Sequence, residues 1–74
     1  MTNKELHIIH LKIGSKVREL RDRKGISQLK LGTEVDLSKT HIGRIERGET
    51  NVTIQSLIKI ATFFRIDFTD FFKD

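Results

Sequence analysis

The side chains best suited to chemistry in this sequence lie between Ser38 and Gly48. On a helical wheel at about 100° per residue this stretch has two sides, and Ile42 and Ile45 occupy the apolar one. The opposite side holds Lys39, Thr40, Gly43, Arg44 and Arg47. Arg can donate two parallel hydrogen bonds to guanine, Thr can contact a base through its hydroxyl or methyl group, and Lys can donate to guanine or phosphate. The pattern therefore suits close contact with a nucleic acid.

The same residues could equally form an ordinary solvated helix face. Gly43 argues against that interpretation, because glycine in a helix interior costs roughly 1 kcal/mol relative to alanine. A glycine at this position is easier to explain if another group must pass close to the backbone.

Other kinds of chemistry find little support. His7 and His10 are three residues apart, a spacing that can share a metal ion, but the chain has no Cys and no carboxylate obviously converges on the pair. A solvated first helical turn explains both histidines better. There is also no Gly-rich phosphate loop, zinc-protease motif or nucleophile elbow. We therefore expect no enzyme, no bound metal, no cofactor and no small-molecule ligand.

Charged and aromatic residues are separated along the 74-residue chain. The segment from Lys12 to Arg47 contains ten Lys or Arg and five Asp or Glu, a net charge of +5, whereas the whole chain carries +4. All five Phe lie in the last twelve residues. A basic half in a small protein is typical of contact with a polyanion. No leader and no apolar run long enough to span a bilayer is visible, so we expect a cytoplasmic protein.

Hydrophobic spacing and capping residues predict an all-α fold of five short helices. Leu6, Ile9, Ile13, Val17 and Leu20 form the apolar stripe of a first helix that ends at Gly25. Four later segments repeat one pattern, in which an apolar residue precedes a side-chain N-cap and a second apolar residue follows four positions beyond the cap. These are Ile26-Ser27 with Leu31, Leu37-Ser38 with Ile42, Val52-Thr53 with Leu57, and Ile66-Asp67 with Phe71. The predicted helices span residues 5–24, 27–35, 38–47, 53–65 and 67–73.

The second and third helices are close enough to form a helix-turn-helix unit. Only Asp36, Leu37 and Ser38 separate them, which fits the three- to four-residue turn of that motif. The turn needs a residue that tolerates positive φ, and Asp36 would fill that position less comfortably than Gly.

These residues together resemble the phage Cro and repressor family, also called XRE-type. The resemblance rests on Ile26-Ser27-Gln28 through Leu31, on Leu37-Ser38, and on Ile42-Gly43-Arg44-Ile45-Glu46-Arg47-Gly48. It extends over roughly residues 13–72, and the compact size and the Asn51–Ile54 loop are similar to controller proteins of restriction-modification systems. The chain departs from the family at Gly32, usually Ala, at Asp36, usually Gly, and at Val52, often Pro. The resemblance implies a compact lambda-repressor-like domain over residues 1–74, with the helix-turn-helix at about 27–47.

The family's functional positions can be transferred residue by residue. The resemblance implies that Lys39, Thr40 and Arg44 read base edges in the major groove. It places the DNA backbone at Gln28, Ser38, His41, Gly43 and Arg47. It also implies an ion pair between Arg21 and Glu46 that ties the first helix to the end of the recognition helix.

The aromatic end suggests a homodimer formed by helices at about 53–73. We expect Ile54, Leu57, Ile58 and Ala61 to point inward. The candidate interface residues are Ile60, Phe63, Phe71 and Phe72. Alternatively, most of the rings simply close the core. Two-fold symmetry would place two recognition helices roughly 34 Å apart and predict a palindromic DNA site.

The sequence thus predicts a sequence-specific transcriptional regulator that binds double-stranded DNA as a homodimer. The alternative hypothesis is a protein-interaction module, antitoxin-like or part of a scaffold, that uses the same surface for a protein partner. Salt dependence of binding distinguishes the two, because only the first depends on several phosphate contacts.

Overall fold

The computed structural model describes residues 1–73 and contains four α-helices followed by a 3₁₀ helix. The predicted domain covers residues 1–74, and its last position, 74, lies outside the described residues. The helices are α1 (Asn3–Lys24), α2 (Gln28–Val35), α3 (Lys39–Glu46), α4 (Ile54–Phe64) and the 3₁₀ helix Phe68–Phe72. The all-α prediction is confirmed, and the predicted count of five α-helices is wrong.

The final element is a 3₁₀ helix because its bonds span three residues rather than four. The N–H of Asp70 donates to the carbonyl of Asp67 at 2.9 Å, and the Asp67 carboxylate accepts from the N–H of Thr69. The Asp70 carboxylate in turn accepts from the N–H of Asp67 at 3.2 Å and completes a capping box. The element has only five residues, and 3₁₀ helices are usually this short.

The four predicted N-caps are confirmed. The side chains of Ser27, Ser38 and Thr53 each accept the backbone N–H three residues ahead, at 3.0 Å, and Asp67 caps the 3₁₀ helix. A fifth cap, which was not predicted, is Thr2, which forms a capping box with Glu5 and starts α1 at residue 3. Local side-chain bonds therefore set every helix start.

A residue with left-handed backbone angles follows each of the four α-helices, and after α3 it is Gly48, with φ 71°. Gly25 has φ 69° after α1, as the sequence predicts, and Asp36 has φ 59° in the turn between α2 and α3. Arg65 has φ 57° after α4, although an arginine is not a residue type that predicts this conformation. Asp tolerates this conformation better than Arg because its short side chain can bond locally.

A small core forms where the helices meet. Buried apolar side chains come from every element: Ile13, Val17, Leu31, Val35, Ile42, Ile45, Leu57, Ile60, Ala61 and Phe71. Two glycines allow close backbone approach, since a Cβ at Gly14 would overlap the Ile45 carbonyl of α3 and one at Gly32 would overlap the Leu37 carbonyl. The result is that α3 packs directly on both α1 and α2. In the part of the chain described, no helix is both long and apolar enough to cross a membrane.

The structure corrects the predicted orientation of α4. Ile60 is fully buried, whereas Ile54 and Ile58, expected to point inward, are 66% and 50% exposed. Leu57 and Ala61 are buried as expected. The helix is apolar around most of its circumference, so the hydrophobic pattern alone does not fix which side faces the core.

Candidate nucleic-acid interface

The polar face of α3 consists of Lys39, Thr40, Gly43, Arg44 and Arg47, and the structure brings these residues together. Ile42 and Ile45 are fully buried on the opposite side of the helix. All members of the polar face except Gly43 are exposed. Two guanidinium groups, one ammonium group and one hydroxyl thus project from one short helix whose other side is fixed in the core.

Ser38 and His41 lie at the N-terminus of α3. The Ser38 hydroxyl oxygen accepts the His41 N–H at 3.0 Å and so serves as the helix cap. His41 is half-buried at the edge of the polar face. Unpaired N–H groups of a first turn attract anions, so this end of the helix suits a phosphate.

Arg21 and Glu46 form a nearly buried ion pair between α1 and α3. The Arg21 Nε donates to Glu46 Oε2 at 2.7 Å, and its Nη2 donates to Glu46 Oε1 at 3.2 Å. The side chains are only 14% and 4% exposed. Arg21 also donates to the carbonyl of Ile26, ahead of α2, at 2.9 Å. The hydrogen bond that Arg21 donates to Glu46 is the main reason that the pKa of Arg21 is raised above its ordinary value.

Gln28 extends this network to the polar face. Its Nε2 donates to Glu46 Oε1 at 3.1 Å, which places the amide group beside Gly43. The amide of Gln28 is therefore oriented by a carboxylate that is itself held by Arg21. Arg21 of α1 and Gln28 of α2 thus both bind Glu46 of α3, and these bonds hold α3 in one orientation.

Gly43 lies beneath the side chains of Arg47 and Gln28. It is buried, and a Cβ built on it would lie 3.0 Å from the Arg47 Nη1 and 3.6 Å from the Gln28 amide atoms. Its N–H lies in the helix interior, where it bonds to the preceding turn. The contact of Gly43 with the DNA backbone stays a prediction, and in this structure the groups that pass close to Gly43 are side chains of this chain.

Arg47 is paired with an acidic residue that the sequence interpretation overlooked. Its Nε donates to Glu49 Oε2 at 2.9 Å, and both side chains are about half exposed. This bond raises the pKa of Arg47 and lowers the pKa of Glu49, with a further lowering from the charge of Arg44. The Gly48-Glu49 pair in the sequence indicates where the Glu49 backbone lies, because the residue after a helix-ending glycine bonds back to the helix. It does not indicate the side-chain partner of Glu49.

The predicted dimer residues do not form one exposed surface. Ile60 and Phe71 are both 0% exposed, so the prediction that they lie at an interface is wrong. Phe71 fills the core instead, which agrees with the alternative prediction that most of the phenylalanine rings close the core. Phe63 is half-buried against Phe64 and under the Lys24 ammonium, and Phe72 remains 45% exposed. Among residues 1–73, no group of three or more His, Cys, Asp or Glu is arranged to hold a metal ion.

The fold and the polar face define the class of this protein. A helix-turn-helix family model matches residues 17–71, which is most of the chain. The chain therefore belongs to the XRE-type helix-turn-helix family, a family of DNA-binding transcription regulators. The resemblance inferred from the sequence is confirmed.

Several individual relatives are controller proteins. The chain is 44% identical over 54 residues to control protein C.BamHI of Bacillus amyloliquefaciens, covering 72% of this chain and 67% of that protein. It is 33% identical over 67 residues to control protein C.MunI of a Mycoplasma species, covering 89% and 90%. The crystal structure of the restriction-modification controller protein C.AhdI from Aeromonas hydrophila matches with a TM-score of 0.81 and 34% identity, covering 88% of this chain and 94% of that one. Some other relatives are much longer, and the chain spans as little as 12% of their length.

Proposed function

We propose that this chain is a sequence-specific regulator of transcription of the restriction-modification controller type. The observation that carries the proposal is the polar face of α3, held in one orientation by the Arg21–Glu46–Gln28 network. The similarity to C.BamHI, C.MunI and C.AhdI supports the controller assignment. The protein would work in the cytoplasm as a single domain spanning residues 1–74.

The residues of α3 would divide between base reading and backbone contact. Lys39, Thr40 and Arg44 are exposed along the helix and would reach base edges in the major groove. Gln28, Ser38, His41 and Arg47 flank them and would contact phosphates. This division gives each group a distinct signature, because base contacts discriminate between sequences and phosphate contacts do not.

The protein would bind a palindromic operator as a homodimer. The exposed row on α4, Ile54 and Ile58, is a better candidate for the interface than the buried Ile60 and Phe71. Phe63 and Phe72 keep part of their surface available and remain candidates beside this row. Two-fold symmetry would present two copies of α3 one DNA turn apart, roughly 34 Å.

Selection of binding sites from random DNA tests the proposal. A single palindromic consensus is the expected outcome, and affinity for that site should fall about 10³- to 10⁵-fold between 50 and 200 mM salt if six to ten phosphates are contacted. Binding that ignores salt, or no binding at low salt, would contradict the proposal and favour the protein-interaction alternative.

Two arginine variants then separate the predicted roles. Arg44→Ala should relax base preference at one position of each half-site, at a cost of about 1–3 kcal/mol for the preferred base. Arg47→Ala should weaken binding to all sequences alike and lower the salt slope by about 1 per half-site. Binding-site selection repeated with each variant measures both effects. The same loss of base preference in both variants would contradict the division of roles.

A further inference from the structure

The Arg47–Glu49 pair places a carboxylate on a surface that must receive phosphates. Glu49 Oε2 accepts from Arg47 Nε at 2.9 Å, and Arg47 Nη1 lies over Gly43, within the polar face of α3. The Nε of the guanidinium proposed to contact the DNA backbone is therefore already bound to an anion of this chain.

The backbone fixes the position of Glu49. The N–H of Glu49 donates to the carbonyl of Arg44 at 2.9 Å, and the N–H of Gly48 donates to the carbonyl of Ile45 at 3.0 Å. Gly48 has φ 71° and is buried against Leu11, so the chain turns sharply there. These bonds form the left-handed C-cap arrangement that commonly ends helices. Glu49 thus belongs to the capped end of α3 and does not sit on a freely moving loop.

Stability does not account for the pair. Both side chains are about half exposed, and exposed ion pairs contribute little to folding because water and salt screen them. The contrast with Glu46 is direct, since its side chain is 4% exposed and joins three segments. A pair that adds little to folding is also easy to separate when a competing anion arrives.

We propose that Glu49 occupies Arg47 in place of a DNA phosphate and so restrains binding of the free protein to DNA. To present its Nε edge to a phosphate, Arg47 must give up its bond to Glu49. A phosphate held by the Nη groups alone would lie near the Glu49 carboxylate, which repels it. The restraint acts on every DNA sequence alike, because the two competing anions are a carboxylate and a phosphate and no base is involved. This inference rests on the proposed DNA-binding function.

The test compares Glu49→Gln with the unaltered protein on operator DNA and on a scrambled duplex. Glu49→Gln should bind both duplexes more tightly, by about two- to fivefold per half-site, the range expected for an exposed ion pair. Its salt slope should steepen by about 0.9 per half-site. Unchanged or weaker binding by Glu49→Gln would overturn the inference, since it would mean that Glu49 has no effect or instead orients Arg47 for phosphate.

Glu34→Gln is the matched control. Glu34 is an exposed residue of α2 that pairs with Lys30 at 2.9 Å, so the variant changes net charge equally at a different place. An equal gain of affinity in Glu34→Gln would show a general charge effect and overturn the inference. In an Arg47→Ala background, Glu49→Gln should gain much less affinity, and a full gain there would also overturn it. If the unaltered protein shows no salt-dependent DNA binding, the proposed function itself fails.

Discussion

Glu46 holds α3 to the rest of the domain through two side chains from other segments. It accepts two hydrogen bonds from Arg21 of α1 and one from Gln28 at the start of α2. A nearly buried pair adds little net stability beyond its desolvation cost, so its main effect is to define one orientation of the helix.

Removing the Glu46 carboxylate should leave Arg21 with Asp22, at 3.4 Å, as its remaining ionic partner. We expect Glu46→Ala to destabilise the fold by up to about 3 kcal/mol, because Arg21 would stay nearly buried without its closest partner. Thermal unfolding measures the effect. Glu49→Ala removes an exposed carboxylate only three residues away and should leave the melting temperature nearly unchanged. Equal effects of the two substitutions would contradict this account.

Contacts between residues that are close together in the chain could be predicted from the sequence. Ser27, Ser38 and Thr53 cap helices through bonds three residues long, so their types and spacing suffice to predict them. The pairing of Glu49 with Arg47 could not be predicted in this way, because it depends on how the Arg47 side chain lies across Gly43. Such a contact depends on side-chain direction at a helix end, and composition does not determine it.

At the scale of the elements, α1 and α3 cross at a glycine. A Cβ at Gly14 would overlap the carbonyl of Ile45 and come within 2.7 Å of the carbonyl of Glu46. These are backbone atoms and can yield only if the two helices separate. The glycine therefore sets the distance between α1 and α3.

Two glycine substitutions should have opposite effects. Gly14→Ala should destabilise the fold by about 1–3 kcal/mol, since overpacking forces backbone shifts. Gly43→Ala should be neutral or stabilising by up to about 1 kcal/mol, because alanine favours the helix and the nearest atom is the movable end of Arg47. Urea unfolding of both variants measures the difference. A loss in Gly43→Ala as large as that in Gly14→Ala would contradict the prediction.

The 3₁₀ helix should respond to acid. Hydrogen bonds from the Thr69 hydroxyl and N–H hold the pKa of Asp67 below its ordinary value, and the bond from Lys73 lowers the pKa of Asp70. A carboxyl whose pKa is lower in the folded state stabilises that state above the unfolded pKa and loses the effect as pH falls. We expect the 3₁₀ helix, and with it the packing of Phe71, to loosen below about pH 4.

An NMR titration of the Thr69 and Phe71 amides measures this loosening. Asp67→Asn keeps an oxygen that can accept from Thr69 but removes the titrating charge, so its acid response should be smaller. An identical response in Asp67→Asn would show that Asp67 does not contribute.

The orientation of α4 shows why element-level prediction was incomplete. Its residues are apolar around most of the circumference, so several rotations of the helix place an apolar stripe on the core. Packing against α2 and the 3₁₀ helix selects the rotation that buries Ile60 and exposes Ile58. The fold class and all helix starts except that of α1 could thus be predicted, whereas the exposed surface of α4 could not.

At the scale of the whole molecule, the exposed α4 row predicts the site of dimer formation. Ile58→Lys should yield a monomer and weaken operator binding, because a charge would be buried in an apolar contact between copies. Ile8→Lys is the control, since Ile8 lies on α1 with nearly the same exposure, 49% against 50% for Ile58. Sedimentation velocity measures the oligomeric state of both. A dimeric Ile58→Lys, or a monomeric Ile8→Lys, would contradict this assignment.

The anchoring of α3 by Glu46, Gly14 and Ser38 also has a thermodynamic consequence. A recognition helix that is already ordered need not fold when it meets DNA, so association involves no large ordering entropy. The heat-capacity change of binding should then correspond to the contact surface alone. The conformational entropy of ordering α3 is lost when the chain folds, before any DNA is present.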